Sequence, residues 1–445
     1  METDMKKLSG RQTLLVGLTL FSMFFGAGNL IFPPFLGAQA GTSTWPAMLG
    51  FALSAVGLPI MGVSAVAKAG GLDVLAGRVH SRFAFWFTLL IYLSIGPCLA
   101  IPRTASTSFE MAVVPFISAD APFKAAQAIY SAVFFGIAFL VALKPDKLTE
   151  RLGKIMTPCL LTLIFVVFAG CVLHPAGSYG VPGGTYGADP VVRGFLDGYL
   201  TMDTIAALNF GIIISLNIRA FGIEEEGAVV KETIRAGFTA GTVLVLVYCA
   251  LAHIGALTGD TFGVMENGAR TLAATVQFLF GKAGLVMLAV IFFIACLNTC
   301  IGLLSCCSKY FGTIIPGIGY KTWVGIFAAV SLVISNIGLN RILEISVPVL
   351  NAIYPVEIVL IILAFSCPGR FHSVYRGSIL FTGIVSTVHA LADVGLSVPV
   401  VSGFMQRLPL YRLGLEWILP AAAGAFIGIL MELLRSKDGR DSIRT

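Results

Sequence analysis

Charge is what this 445-residue chain has least of: 12% of its residues are Asp, Glu, Lys or Arg, against about 25% in ordinary soluble domains. That scarcity excludes a water-bathed surface of normal extent, and no interval is polar enough for a soluble domain. A net charge of +6 does not point to nucleic acid, because the basic residues fall in short intervals between apolar runs. Disulfide and zinc chemistry are also missing. The nine cysteines lie mostly inside or at the ends of apolar runs, as small apolar residues do. The vicinal pair Cys306-Cys307 has no second pair at ligand spacing. Within the apolar runs there is no HExxH, no GxSxG and no pair of aspartates, which argues against an intramembrane enzyme.

What is abundant is apolar length. Hydrophobic residues make up 57% of the chain and mean hydropathy is +0.91. Many runs reach the roughly 18 to 24 residues that cross about 30 Å of hydrocarbon, so the chain reads as an all-α integral membrane protein. Twelve spans are expected, at 13–32, 46–67, 83–101, 123–143, 154–173, 199–218, 236–258, 283–307, 322–338, 343–366, 376–393 and 415–434. Lys6, Lys7 and Arg11, the run after them and Ala38-Gln39-Ala40 imitate a secretory signal. The run is too long for a signal core and is read as a retained first span, ended by Pro33-Pro34. Placing both termini in the cytoplasm puts 21 of the 29 Lys and Arg residues inside and 8, Arg103 among them, outside, which agrees with the positive-inside bias. Two outer connections are the longest. The Gly- and Pro-rich interval 174–198 is expected as an irregular lid or turn, and 259–282 as a hairpin.

The first span contains FFGAGNLIFPP, residues 24–34. Backbone that leaves the helix at membrane depth survives only where it is buried in protein or lines a cavity. Taken alone, this stretch admits two readings: small residues for close helix packing, or an interruption at Gly26-Ala27-Gly28-Asn29 whose freed groups face a ligand. Span 6 holds a matching feature, Asn209-Phe210-Gly211. Spans 1 and 6 occupy equal positions if the core is two five-span repeats, approximately 13–173 and 199–366. Paired interrupted spans in such positions point to a transporter binding site, and five being odd inverts one repeat against the other. The expected organisation is a transport core over 1–393, including span 11, and then 394–445 with span 12 and a short cytoplasmic tail.

FFGAGNLIFPPFLGAQAG, with IGPCLAIPRTASTSFE (95–110), AALNFGIII in span 6 and ACLNTCIGL in span 8, resembles the branched-chain amino acid:cation symporters, the BrnQ-type carriers of bacteria. The resemblance covers nearly the whole chain. It implies a LeuT-like fold, a 5+5 inverted repeat with broken helices 1 and 6 plus two peripheral helices, in the bacterial cytoplasmic (inner) membrane. It implies uptake of Leu, Ile and Val by alternating access, with Na+ as coupling ion and no organic cofactor. A related carrier of another small zwitterion or a nucleobase is the alternative. The partners implied are the substrate and the lipid bilayer; oligomeric state is not read.

The same resemblance implies site residues. Sodium would meet the carbonyls of Ser22, Phe25 and Ala295 and the side chains of Asn298 and Thr299. Residues 295, 298 and 299 share one helical face, and neutral oxygens suit a hard cation; Asn298 stands where a hydroxyl is expected. The substrate carboxylate would meet N–H groups of Ala27, Gly28 and Asn29, and the amino group carbonyls near Phe24, Ala206, Ala207 and Asn209. Tyr92 would add a hydroxyl, or be an ordinary packed tyrosine. Phe24, Phe210 and Ile214, with Gly211 beside them, would wall an apolar pocket. One methylene in such a pocket is worth only about 1–3 kcal/mol, so Leu, Ile and Val should compete.

Ionisable residues inside spans are functional candidates. Asp203 reads either as an outer gate or as an interfacial cap of span 6. Glu357 lies deeper, to pair with a cation or a neighbouring span or to snorkel inward. His253 and His389 sit in outer halves of their spans as candidate proton relays, and Glu224-Glu225-Glu226 as a solvated cluster near Lys231 and Arg235. A pore-forming channel is the remaining alternative in another class.

Overall fold

Apolar chain in a bilayer satisfies its backbone as helix or closed barrel, and every regular element among the described residues is helical. The computed structural model describes residues 7–118, 122–143, 145–396 and 403–441, and of 145–157 and 435–441 the backbone alone. Lys6, Lys144 and Arg444 of the basic tally lie outside the described residues, as do the side chains of Lys147, Arg151, Lys154, Arg435, Lys437 and Arg440.

In chain order the helices are α1 (Gly10–Phe24), α2 (Ala27–Ala40) and α3 (Thr44–Ala52), which runs through a π-helical turn into α4 (Leu58–Ala69). Then come α5 (Leu72–Gly77) and α6 (Ser81–Leu93), which passes through a second π-helical turn (Ser94–Cys98) into α7 (Ala100–Ala112). α8 (Phe123–Ala142), α9 (Pro145–Leu173), α10 (Pro190–Gly198), α11 (Asp203–Ala220) and α12 (Glu226–Phe262) follow. The series closes with α13 (Gly268–Ile314), α14 (Tyr320–Ser335), α15 (Leu339–Ser366), α16 (His372–Asp393) and α17 (Ile418–Asp441). Each expected span overlaps a helix of this series. By length and composition, six helical stretches among the described residues suffice to cross a membrane, or seven with the bent pair α10–α11. The apolar core has two bodies, one around α1, α2, α3 and α12 and one around α5 to α8 and α14 to α16, and α11 and α13 contribute to both.

The first helix starts on a capping box, in which Gln12 N–H reaches Ser9 Oγ (3.3 Å) and Ser9 N–H reaches Gln12 Oε1 (2.9 Å). It stops because Phe25 leaves helical geometry (ψ 88°) and Gly26 is extended (φ −117°, ψ −166°). Ala27, Gly28 and Asn29 therefore form the first turn of α2 rather than the interruption itself. Pro33-Pro34 does not end the span, because α2 runs through both prolines to Ala40. A proline in an isolated helix interior costs about 3 kcal/mol, but buried neighbours re-satisfy the backbone in membranes. Here α12 presses on this segment. A Cβ on Gly255 would run into the Pro34 carbonyl, and one on Gly37 into that of Ala252. The stretch thus contains a break, at Phe25-Gly26, and small-residue packing beyond it.

The sixth span breaks elsewhere than its sequence pattern indicates. α11 is continuous through Asn209-Phe210-Gly211. The chain bends by 53° between α10 and α11, at Met202, whose φ of +64° is uncommon for a side chain of that size. Gly211 is instead a packing position: a Cβ there would lie 2.7 Å from Val66 Cβ and 2.8 Å from the Val63 carbonyl. Three further expectations change. Residues 190–198 of the supposed lid are helix α10, docked on α3 so closely that a Cβ on Gly50 or Gly194 would strike the opposing backbone. Much of 259–282 is helical, with α12 reaching Phe262 and α13 starting at Gly268 before its kink at Gly281 (φ +59°). Arg103 belongs to α7 and is buried, so it leaves the set of outer-loop charges.

Candidate functional site

The breaks of the first and sixth spans meet at Asn29. Its Oδ1 accepts the Gly26 N–H (3.0 Å), capping α2 across the break, and its Nδ2 donates to Asp203 Oδ2 (2.6 Å). Tyr248 of α12 completes the group: its hydroxyl donates to the same Asp203 oxygen (3.1 Å) and also receives the Asn29 amide. All three side chains are buried. Asp203 is the first residue of α11, where an acid also faces the positive end of the helix dipole. It is therefore buried within the protein at the bend of the sixth span.

Opposite in sign stands Arg103. Its Nη1 donates to the Leu200 carbonyl (2.6 Å) and its Nη2 to that of Thr201 (3.3 Å), the two carbonyls that end the first half of the sixth span. The guanidinium stands over the Phe32 ring (5.4 Å), and a Cβ on Gly28 would lie 2.8 Å from Nη2. It makes no ion pair among the described residues. A guanidinium has five N–H donors, so two carbonyls leave capacity beside the free N–H groups that every helix start presents. The arrangement is a buried guanidinium at the α2 start and a buried carboxyl group at the α11 start.

Phe32 and Leu200, both touching Arg103, also line a cavity of about 260 Å³ with Leu36, Asn267, Asn340 and Val347. Its rim is tied by Arg270, which bonds Glu110 of α7 (3.1 Å) and Glu266 (3.2 Å), and by Asn267 on Asn340 (2.9 Å). At the same rim Tyr186 donates to Asp197; burial and that carboxylate hold its hydroxyl well above the ordinary phenol range.

Across the α1 break lies α13. A Cβ on Gly26 would sit 3.3 Å from Thr299 Cγ2 and 3.5 Å from its Oγ1. Thr299 Oγ1 donates to the Ala295 carbonyl (3.2 Å), and Asn298 Oδ1 is buried without a partner. The last carbonyls of α1 run out of helical donors at this point. Neutral oxygens around one unpartnered amide oxygen fit a hard monovalent cation better than a transition metal.

The other expected residues fall in three places. Phe24 and Phe210 pack ring on ring (5.7 Å), and Ile214 and Ala207 are buried in the same apolar body. Ala206, Ala207 and Asn209 lie within continuous α11, whose N–H of Ala206 bonds Met202 O (3.0 Å), so the carbonyls at the sixth-span break are those of Leu200 and Thr201. Asn209 Nδ2 is buried without a partner. Tyr92 stacks on Tyr310 (3.7 Å) beside Cys307, in the other apolar body. Arg103 and Tyr248 were missed as functional groups. An arginine amid the small polar run RTASTS was the available signal, and it reads as a loop when span 3 is ended at residue 101.

The profile of the family described as branched-chain amino acid transport protein matches residues 9–435. The "Branched-chain amino acid permease BraB" of Bacillus subtilis (strain 168) is 39% identical over 427 residues, covering 95% of this chain and 96% of that one. The "Branched-chain amino acid transport system 2 carrier protein" of Pseudomonas aeruginosa is 40% identical over 440 residues, with 97% and 99% covered. Among solved structures, Mhp1, a nucleobase-cation-symport-1 family transporter in a closed conformation with bromovinylhydantoin bound, superposes with a TM-score of 0.61 at 15% identity, covering 95% and 93%. That likeness establishes the LeuT-like fold and nothing finer.

Proposed function

This chain belongs to the branched-chain amino acid transport protein family, a family of transport proteins and not of enzymes, and from that premise we propose that it is a sodium-coupled importer of Leu, Ile and Val working by alternating access. The observation that carries this reading is the buried guanidinium and the buried carboxyl group at the two helix breaks. A free amino acid is a zwitterion, so its carboxylate is matched by Arg103 and the N–H groups of Ala27, Gly28 and Asn29. Its ammonium is matched by Asp203 and the last carbonyls of α1 near Phe24. Phe24, Phe210 and Ile214 supply an apolar wall. A nucleobase has no such fixed dipole, so the charge pair favours the zwitterion.

Sodium would be held by the carbonyls of Ser22, Phe25 and Ala295, Asn298 Oδ1 and Thr299 Oγ1, joining α13 to the α1 break; the cation supplies a charge that draws the two together. With the positive-inside orientation the cavity above Phe32 opens outward, the termini are cytoplasmic and the membrane is the bacterial inner membrane. The test is leucine uptake into proteoliposomes at fixed membrane potential. An inward sodium gradient should accelerate it, with Ile and Val competing; uptake indifferent to sodium overturns the coupling, and uptake uninhibited by Ile and Val overturns the substrate class.

A further inference from the structure

The transport site leaves one deeply buried acid unused. Glu357 of α15 is 0% exposed, and neither carboxylate oxygen has a hydrogen-bond partner. Keeping an unpaired carboxylate ionised in such surroundings is strongly unfavourable. The charged groups on the helices packed against α15 do not compensate it. Lys68 of α4 gives its Nζ to the Ala364 carbonyl (3.0 Å), Arg103 of α7 serves Leu200 and Thr201, and Asp203 of α11 is itself acidic. On α16 the titratable and charged groups are His372, Tyr375, Arg376, His389 and Asp393; the first three are bonded to the carbonyls of Arg78, Leu363 and Val79, and before α17 stands Glu416.

One turn before Glu357, the Tyr354 ring stacks on Tyr199 with centroids 4.2 Å apart, and both hydroxyls are buried without partners. Tyr199 lies three residues before the Met202 bend. Beside it is a cavity of about 30 Å³ lined by Tyr199, Pro355, His389, Glu416 and Trp417, room enough for water. Glu416 Oε2 and Trp417 Nε1 are also buried without partners. His389 Nδ1 lies 2.6 Å from Glu416 Oε1, and its Nε2 lies 3.7 Å from Asp393 Oδ1. Side-chain exposure falls in order along this series, from 32% at Asp393 to 21% at His389 and 2% at Glu416. The series reaches the cavity wall at Tyr199, which stacks on Tyr354, three residues before Glu357.

We propose that Glu357 is a proton-binding site, filled and emptied from the Asp393 face through His389, Glu416 and the cavity beside Tyr199. The step is proton transfer alone. A proton enters on the His389 ring, passes to a Glu416 oxygen, crosses the cavity to the Tyr199 wall and reaches a Glu357 oxygen past the hydroxyls of the Tyr199–Tyr354 stack; on release it returns the same way, and no electron moves. Protonated Glu357 is neutral and tolerates the closed packing of Tyr199 on Tyr354. Deprotonated Glu357 demands a polar partner, so loss of the proton favours a different packing at the bend of the sixth span.

Infrared difference spectra of the purified full-length carrier between mildly acidic and mildly alkaline pH test this. Wild type should show a protonated-carboxyl band that Glu357→Gln removes, and the pH dependence of leucine counterflow should be lost in that variant. His389→Phe should keep the band but slow its hydrogen–deuterium exchange, which decides the matter even if Glu357→Gln does not fold. A band unchanged by Glu357→Gln overturns the site, and exchange unchanged by His389→Phe overturns the route. The spectra need neither leucine nor sodium, so failure here and failure of the transport reading are distinguishable.

Discussion

Arg103→Gln separates recognition of the substrate from maintenance of the fold. Arginine's Nη groups hold the Leu200 and Thr201 carbonyls at 2.6 and 3.3 Å and border Gly28 at the α2 start. Glutamine keeps a donor for one carbonyl but removes the charge. Hydrogen bonds to charged groups contribute about 1.5–3 kcal/mol, and each 1.4 kcal/mol is about tenfold in affinity. Leucine affinity should therefore fall roughly 10- to 150-fold. The variant also leaves a buried carbonyl unpaired, at a cost of about 1–3 kcal/mol in stability. Leucine amide, whose carboxyl group is neutralised, distinguishes the two effects. In calorimetric titrations at saturating sodium, wild type should prefer leucine to the amide by the factor above, and Arg103→Gln should erase that preference. If both ligands weaken equally, Arg103 only braces the bend and the assignment of the carboxylate is wrong. Arg103→Lys should fall between, because a compact ammonium cannot span two carbonyls and a carboxylate at once.

Three other expectations follow from the same geometry. Asp203→Asn should erase the preference for leucine over its deaminated analogue in competition binding, since the partner of the ammonium loses its charge; a retained preference refutes the role. Thr299→Val should raise the sodium concentration for half-maximal leucine binding while leaving leucine affinity at saturating sodium near wild type, and an unaltered sodium titration removes Thr299 from the site. Gly37→Val should abolish recovery of monodisperse protein, because its Cβ meets the Ala252 carbonyl, whereas Gly302→Ala, with nothing within 4 Å of the added carbon, should behave as wild type in size-exclusion chromatography.

The legible parts of the sequence were those in which residue type reports directly on environment. Apolar length marked each span, and two glycines beside an asparagine marked the α1 break to within two residues. The sixth span misled because glycine has two uses. Gly211 lies where α11 meets Val63 and Val66, a contact between residues far apart in sequence. The actual bend is at Met202, a residue type with no preference for positive φ. Arg103 was hidden for a related reason. The run RTASTSFE has the composition of a loop, yet 100–111 of α7 are all buried, with Ser106 and Thr104 returning their hydroxyls to carbonyls. Thr104 and Ser106 bond carbonyls of their own helix while Ser106 and Ser108 also reach α14 and α8, so polarity there did not mean exposure. That Asp203 and Tyr248 converge on Asn29 is a three-helix coincidence no single stretch records.

The charges at the breaks set an expectation for how the carrier responds to voltage. With Asp203 ionised opposite Arg103 the two cancel, while Asn29, Tyr248, Asn298 and Thr299 are neutral. A zwitterion adds nothing, so on the proposed sodium coupling the loaded site would differ from the empty one by the charge of the cation alone. One charge moved through 100 mV is worth about 2.3 kcal/mol, which corresponds to roughly fiftyfold accumulation. Leucine uptake at a fixed sodium gradient should therefore rise with an inside-negative potential. Glu357 modifies this: a proton leaving in exchange for each sodium entering would cancel the charge movement. If that exchange is part of the cycle, wild-type uptake is insensitive to potential and Glu357→Gln becomes voltage-driven. If the proton stays in place, both are voltage-driven alike. Voltage-insensitive uptake in both proteins refutes the charge assignment at the breaks, because a single cation entering a site balanced by Arg103 and Asp203 has no other counter-charge.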